Sequence, residues 1–236
     1  MESDAQTIKR NLSAIRTRIR MACERSGRDP GDVTLVGVSK FKPVESLCAA
    51  ARAGLTDFGE NYAQELLAKA PILASENLAI RWHFIGGLQS NKARKVVPIV
   101  TSVQSVDRPS LVAELSRAAT LTRPLDVFIE VNLAGEAQKS GAEPKDVKSL
   151  AGLILAAPGL RLAGLMTVPP IVDDPEQSRP FFRTLRALRD NLRSTLDLQS
   201  EMLTGLSMGM SYDFEVAIEE GATMVRVGTA IFGSRG

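Results

Sequence analysis

The sequence alternates between short apolar runs and helical apolar stripes along its 236 residues. An N-terminal amphipathic helix is predicted from apolar residues at helical spacing, namely Ile8, Leu12, Ile15 and Ile19. Regular alternation of strands and helices implies parallel strands. We therefore expect an α/β fold, a (β/α)8 TIM barrel with an extra N-terminal helix, formed by residues 1–236 as one domain. An open doubly wound sheet is the alternative, although it usually has fewer strands. The predicted strands are 33–39, near 57–58, 80–85, 101–106, 126–131, 161–166, near 202–203, and 224–227.

Composition excludes several classes of function. The chain has 29 basic and 27 acidic residues, a balance that argues against a general binder of nucleic acids or membrane surfaces. One histidine and two cysteines are too few for a zinc site of Cys and His ligands or for a disulfide framework. We expect a reducing, cytoplasmic location, with no secretory signal and no membrane span.

The predicted loops after strands seven and eight combine glycine with hydroxyl side chains. In TIM barrels these two loops frequently bind phosphate. Ser207, Ser211, Gly228 and Thr229 are the candidates, and Ser211 is predicted to be the N-cap of a helix over 212–220. Thr229 is predicted to have the same position before the last helix. The alternative is that these residues are only helix caps and tight turns.

Lys40 follows the first predicted strand on the face that would point into the barrel. Val36, Val38 and Lys40 share that face because side chains alternate along a strand. Partial desolvation would lower the pKa of the lysine, and a neutral amine can form a Schiff base with a carbonyl compound. The alternative is a solvated lysine at a strand end. Lys42 lies beyond the strand and is the weaker candidate.

Arg226 alternates with Met224 and Gly228 onto the inward face of strand eight. A lysine amine, a phosphate site and a partner for a ring nitrogen are together what pyridoxal phosphate (PLP) requires. A guanidinium cannot accept a proton from the pyridine nitrogen, so the ring would be a weak electron sink. This argues against demanding carbanion chemistry. The alternative for Arg226 is an ion pair inside the barrel, with Glu130 as the candidate partner.

Eight short motifs match one known family in this order along nearly the whole chain. They are Val38-Ser-Lys40, Phe58-Gly-Glu-Asn-Tyr62, Trp82-His-Phe-Ile-Gly86, Leu88-Gln-Ser-Asn-Lys92, Lys139-Ser-Gly141, Gly164-Leu-Met166, Leu206-Ser-Met-Gly-Met-Ser211 and Met224-Val-Arg-Val-Gly-Thr-Ala-Ile-Phe-Gly233. With these motifs the sequence resembles the pyridoxal phosphate homeostasis proteins, single-domain relatives of alanine racemase.

The resemblance implies a barrel like the N-terminal domain of alanine racemase, with PLP as cofactor and no metal. It implies a Schiff base on Lys40, with Arg226 facing the ring nitrogen. The phosphate ligands would be Ser207, Ser211, Gly228 and Thr229, and the further pocket residues would be Asn61, His83 and Met166.

Two positions depart from the family pattern. Gly87 stands where proline is common, and Tyr212 stands where aspartate is frequent. The glycine is expected to loosen its loop. The tyrosine is expected to change the rim of the pocket and its partner surface, without reaching the Schiff base.

The family resemblance favours a PLP carrier that supplies or buffers the cofactor. A two-base racemase needs an acid or base on each face of the substrate. In alanine racemase the second base comes from a C-terminal β-domain, and none is expected after the last barrel element here. Tyr62 and Tyr212 are candidate bases, so a weakly active amino-acid racemase is the alternative. We expect a monomer, with PLP-dependent apo-enzymes as candidate recipients.

Three other patterns have weaker interpretations. Gly205–Gly209 matches the G-x-S-x-G elbow of hydrolases, but His83 precedes Ser207, contrary to the order of that triad. The charges of 92–95 are typical of a solvated helix face rather than a nucleic-acid site. Lys139 is either a solvated charge or a group that passes PLP to or from Lys40.

Overall fold

The computed structural model describes residues 4–136, 140–198 and 201–233. Eight parallel strands close into a barrel in sequence order, with β8 pairing with β1. The predicted TIM barrel is confirmed. The strands are β1 (Thr34–Val38), β2 (Asp57–Glu60), β3 (Arg81–Phe84), β4 (Val100–Val106), β5 (Leu125–Glu130), β6 (Leu160–Met166), β7 (Gly205–Met210) and β8 (Met224–Val227).

Helices alternate with the strands. Short 3-10 turns at 30–32, 90–92, 144–146 and 175–178 precede one strand and three of the helices. Helix α3 (Ala63–Ser75) continues through Pro71, and Leu73 beyond the proline is still buried. In the described part of the chain, no helix has the length and apolarity needed to cross a bilayer. The helices are α1 (Asp4–Arg25), α2 (Val44–Arg52), α3 (Ala63–Ser75), α4 (Ala93–Val96), α5 (Pro109–Ala118), α6 (Val147–Leu155), α7 (Arg179–Thr195), α8 (Phe214–Glu219) and α9 (Thr229–Phe232).

The extra N-terminal helix α1 packs against α2, α8 and α9, where the last strand of the barrel meets the first. Its predicted apolar stripe is buried. Two ion pairs hold α1 along α8, since Arg18 pairs with Glu215 at 2.8 Å and Arg25 pairs with Glu219 at 2.8 Å. Asn11 also donates to the Ile231 carbonyl at 3.0 Å. The N-terminal helix α1 is therefore held against the C-terminal helices α8 and α9.

The seventh strand lies later in the chain than its prediction. Residues 202–203 precede the strand, and Leu203 has a φ of 52°, which is incompatible with strand backbone. The strand is the glycine-rich run Gly205–Met210. Glycine is required there for space, since a Cβ on Gly205 would lie 2.6 Å from the Phe128 ring. Ser207 is consequently inside a strand and not in the loop that follows it.

The predicted N-cap at Ser211 is wrong. Helix α8 begins at Phe214 with Asp213 at the N-cap position. The Asp213 carboxylate accepts a hydrogen bond from the Met210 backbone N–H at 2.7 Å, which leads the chain through a turn before the helix starts. Thr229 is likewise the first residue of α9, with Gly228 at the N-cap.

Candidate functional site

Lys40 lies at the C-terminal mouth of the barrel, beside the end of β8. Strand β1 ends at Val38, and Lys40 is half-buried two residues later. A Cβ added to Gly228 would lie 3.3 Å from the Val38 Cβ, so the end of β8 packs directly against the end of β1. Within the described residues, no hydrogen bond or ion pair engages the Lys40 amine. Lys42 instead donates to the carbonyls of Phe232 and Gly233 at the end of α9.

Arg226 is a buried cation on β8. Its Nη1 donates to Ser207 Oγ at 2.6 Å and its Nη2 donates to the Thr167 carbonyl at 2.9 Å. Burial lowers the pKa of Arg226 to about 10, against the opposing charges of Glu130 and Asp213. The guanidinium is therefore still protonated at neutral pH. It donates two of its five N–H groups within the part of the chain that the structure describes.

Glu130 lies at the end of β5, which is not adjacent to β8 in the barrel wall. The carboxyl is buried and lies beyond ion-pair distance of Arg226. Burial raises the pKa of Glu130 to about 7, Asp107 adds to the rise, and Arg226 opposes it. The ion pair considered for Arg226 is thus absent between these two described residues, although their charges interact through space.

A chain of polar side chains continues from Arg226 through the barrel interior. Ser207 donates to Gln104 Oε1 at 2.7 Å, and Gln104 Nε2 lies 3.4 Å from Ser102 Oγ. The Ser102 hydroxyl is 2.8 Å from His83 Nδ1, and His83 Nε2 is 2.9 Å from Asp57 Oδ1. Both ring nitrogens of His83 thus have protein partners. Ser207 has no histidine beside it, which removes the geometry of a hydrolase triad.

The Asp57 end of this chain holds a stable negative charge. Burial alone would raise the pKa of Asp57, but hydrogen bonds from His83, Arg81 and Thr56 hold it well below its usual range. Arg81 contributes two of these contacts, at 2.8 and 2.6 Å. The barrel interior therefore contains a fixed anion at one end and the Arg226 cation at the other.

The predicted phosphate residues separate into two places. Ser211 and Gly228 meet at the mouth, where Ser211 Oγ accepts from the Gly228 N–H at 3.2 Å. Thr229 is exposed beside them. The Ser211 hydroxyl proton has no acceptor within the described residues, so it can be donated to an anion. Ser207 lies deeper, and its single proton is already donated to Gln104.

Asn61 follows β2 and Met166 ends β6, so the two residues lie on opposite sides of the same mouth. Asn61 Oδ1 is buried and has no hydrogen-bond partner within the described residues. Gly86 packs on the Asn61 backbone so closely that a Cβ there would lie 2.3 Å from the Asn61 carbonyl oxygen. Met166 is fully buried and pairs in register with Glu130 and Ser207.

The remaining predicted residues lie on the rim or outside the described chain. Tyr62 is exposed, with its ring centroid 5.2 Å from that of Phe41. Tyr212 is also exposed, and its hydroxyl donates to the Asp173 carbonyl. Gly87 is exposed. Lys139 lies outside the described residues.

Sequence reasoning missed a buried ionic cluster beside Lys40. Lys69 on α3 is 7% exposed and contacts both Glu60 and Glu65. A signal was present, because Lys69 occurs within an apolar stripe at helical spacing with Leu66 and Leu73. A lysine in such a stripe requires a buried partner.

The opposite, N-terminal end of the barrel is not a comparable anion site. A cleft of about 570 Å³ there contains three guanidinium groups. Arg81 and Arg161 are paired with aspartates, and Arg123 donates to two backbone carbonyls. No group of three metal-ligating side chains occurs in residues 4–136, 140–198 and 201–233.

Comparisons with known proteins agree with this fold. Residues 10–236 match the family model described as alanine racemase, N-terminal domain. A pyridoxal phosphate homeostasis protein of Aquifex aeolicus is 45% identical over 95% of this chain and 96% of its own. One of Pseudomonas aeruginosa is 46% identical over 97% and 96%. The PLP-bound structure of PipY from Synechococcus elongatus matches with a TM-score of 0.82 and 33% identity, over 96% of this chain and all of that one.

These relatives extend over nearly the full length of the chain, and the family model covers all of its barrel. The chain belongs to the pyridoxal phosphate homeostasis protein family, whose barrel is that of the alanine racemase N-terminal domain.

Proposed function

We propose that this protein binds PLP at the C-terminal mouth of its barrel as a Schiff base on Lys40, and that it holds and supplies the cofactor. The observation that carries the proposal is the packing of Gly228, at the end of β8, against Val38 at the end of β1, because it brings the segment that carries Lys40 beside the strand that carries the buried Arg226. Bound PLP supplies an aldehyde that a neutral amine can condense with. Lys40 is the lysine of its segment whose amine is not used in a described contact.

The residues at the mouth fit the parts of PLP. Ser211, Gly228 and Thr229 would form the phosphate site, with the Ser211 and Thr229 hydroxyl groups as donors; the Gly228 N–H holds Ser211 Oγ and thereby orients its hydroxyl. Asn61 offers a buried polar group that has no protein partner in the described chain. Met166 would line the pocket.

Ser207 and His83 support the site through Arg226 in this proposal. Phosphate oxygens accept hydrogen bonds, and Ser207 has already given its proton to Gln104. Its remaining role is to hold the guanidinium. His83 holds the Asp57 end of the same polar chain. Arg226 would then donate an N–H toward the ring nitrogen.

A carrier fits this arrangement better than a racemase. A guanidinium donating to the ring nitrogen leaves that nitrogen unprotonated, which weakens the electron withdrawal that proton abstraction requires. Of the two candidate bases, Tyr62 is at an exposed rim and Tyr212 gives its hydroxyl proton to Asp173. We further propose that residues 1–236 act as one cytoplasmic, monomeric domain and that PLP-dependent apo-enzymes receive the cofactor.

Equilibrium binding and transfer assays test this function. We expect reversible PLP binding that Lys40→Ala abolishes or weakens by at least about tenfold, whereas the matched variant Lys42→Ala retains it. PLP-loaded protein should activate a PLP-dependent apo-enzyme while racemising no common amino acid at an appreciable rate. Rapid racemisation would replace the carrier with the racemase alternative.

A further inference from the structure

A buried cluster of charged residues lies directly beneath the proposed PLP lysine. Lys69 Nζ is 2.8 Å from the Ser39 carbonyl oxygen, 2.7 Å from Glu60 Oε1 and 2.6 Å from Glu65 Oε2. The three protons of the ammonium group therefore have three acceptors. Ser39 is fully buried, and its hydroxyl also donates to Glu60 Oε1 at 2.8 Å.

The same cluster holds the chain on both sides of Lys40. The Ser39 carbonyl belongs to the peptide unit that precedes Lys40, and Lys69 binds it. The Phe41 N–H belongs to the peptide unit that follows, and it donates to Glu65 Oε2 at 2.8 Å. Two peptide planes flank the Lys40 Cα, so fixing both fixes the direction of its Cα–Cβ bond.

The backbone at this point also requires support. Phe41 has a φ of 61°, in the left-handed region that side chains other than glycine rarely adopt. Lys40 is thus followed by a strained residue whose N–H is held by Glu65. Such a conformation persists only where its surroundings maintain it.

We propose that Lys69, with Glu60 and Glu65, is a positioning device that aims the Lys40 amine at the aldehyde of PLP. This inference rests on the proposed function of Lys40. Lys69 does not touch the cofactor in this account. It acts by holding the peptide units on either side of Lys40, so its loss misdirects the amine while the phosphate and ring contacts remain.

The test separates formation of the Schiff base from noncovalent binding. Binding of PLP includes both events. The analogue 4′-deoxypyridoxine 5′-phosphate has the ring and the phosphate but no aldehyde, so its binding reports the noncovalent contacts alone. In Lys69→Met we expect Schiff-base formation, followed by rapid-mixing absorbance, to slow by at least about tenfold, because small misplacements of reacting groups have large effects on rate. Binding of the aldehyde-free analogue should change by less than about threefold, within the spread expected of an intact pocket. Lys95→Met, at an exposed lysine on α4, is the matched control.

A purely structural role would weaken PLP and its analogue in parallel, and that result, or no change in either, would overturn the proposal. Should Lys69→Met fail to fold, Glu65→Leu decides the question, because Glu65 is partly exposed and its loss frees the Phe41 N–H. Glu65→Leu should show the same selective slowing, and Glu65→Gln, which retains an acceptor, should restore most of the rate. If the wild-type protein itself forms no Schiff base while binding the analogue, the proposed role of Lys40 fails, and this inference fails with it.

Discussion

Arg226 is the residue on which the electrostatics of the barrel interior depend. A buried guanidinium is stable only where acceptors replace water, and here Ser207 and the Thr167 carbonyl do so. Ser207 in turn depends on Gln104. The sequence predicts the inward direction of Arg226 from alternation along β8. It does not predict Gln104 as a partner, because that residue is 103 positions from Ser207 in the chain.

Ser207→Ala tests the support of Arg226. The variant removes an acceptor from a buried cation and a donor from Gln104, so we expect a loss of about 1–3 kcal/mol in the free energy of unfolding. Urea denaturation of the cofactor-free protein measures it. Ser13→Ala, at an exposed position of α1, is the control and should change stability by less than about 0.5 kcal/mol. Equal stability of the two variants would contradict the described role of the Ser207 hydroxyl.

Glu130 gives the cofactor-free protein a pH-dependent stability. Its pKa rises from the model-compound value of 4.5 to about 7 on folding because of burial. Between those values the folded state binds more protons than the unfolded state, so this contribution to stability falls as pH rises. In the wild-type protein, the free energy of unfolding should therefore fall by about 2–3 kcal/mol between about pH 5 and about pH 8 because of Glu130. The variant Glu130→Gln should not show this fall.

Urea denaturation at those two pH values, with Glu45→Gln as an exposed control, measures the effect. The account predicts that the stability of Glu130→Gln relative to wild type increases toward high pH. A constant difference at both pH values would mean that Glu130 has an ordinary pKa in the folded protein.

At the scale of elements, glycines in the barrel wall decide how closely the strands and their side chains approach. Gly164 on β6 faces Gly205 on β7, and a Cβ on Gly164 would lie 2.2 Å from the Gly205 carbonyl oxygen and 2.6 Å from the Phe128 ring. This requirement for space explains why β7 lacks the β-branched residues that normally indicate a strand. Its prediction near 202–203 was wrong for that reason, whereas β5 and β8, with their runs of valine and isoleucine, were predicted closely.

A pair of glycine substitutions tests this reading of the wall. Gly164→Ala should destabilise the protein by about 3 kcal/mol or more, because backbone and a packed ring would have to move. Gly152→Ala is the matched control, since a Cβ at this exposed position of α6 meets nothing within 4 Å. It should stabilise the helix by about 0.5–1 kcal/mol. Thermal or urea unfolding compares them, and a neutral Gly164→Ala would contradict the close packing.

For the whole molecule, periodicity was sufficient to predict the barrel, because each strand and helix must bury one apolar face in sequence order. Strand alternation predicted the inward direction of Arg226 on β8, and Lys40 lies at the mouth because it follows the end of β1. The cluster around Lys69 was not predicted, because Lys69 meets the Ser39 carbonyl from 30 residues away, through a helix whose rotation the sequence does not define. Long-range polar pairing is therefore the part of the site that only the folded chain shows.

Helix α1 joins the ends of the molecule, and its packing is a property of the whole barrel. Leu12 is 1% exposed against the helices around it. Leu12→Ala should lower the free energy of unfolding by about 2–5 kcal/mol through lost burial and a residual cavity. Leu153→Ala, at a residue 43% exposed, is the matched change and should lose clearly less. Similar losses for the two variants in urea would show that α1 does not form part of the cooperative core.

The central claim is that the mouth of this barrel holds PLP covalently on Lys40. Its most direct test is reduction of the PLP-loaded protein with borohydride, followed by mass mapping of its peptides. The account predicts one phosphopyridoxyl group on Lys40, which is lost in Lys40→Ala and retained in Lys42→Ala. A protein that remains unlabelled, or that carries the label on Lys42 or Lys69 while Lys40 stays unmodified, would contradict it.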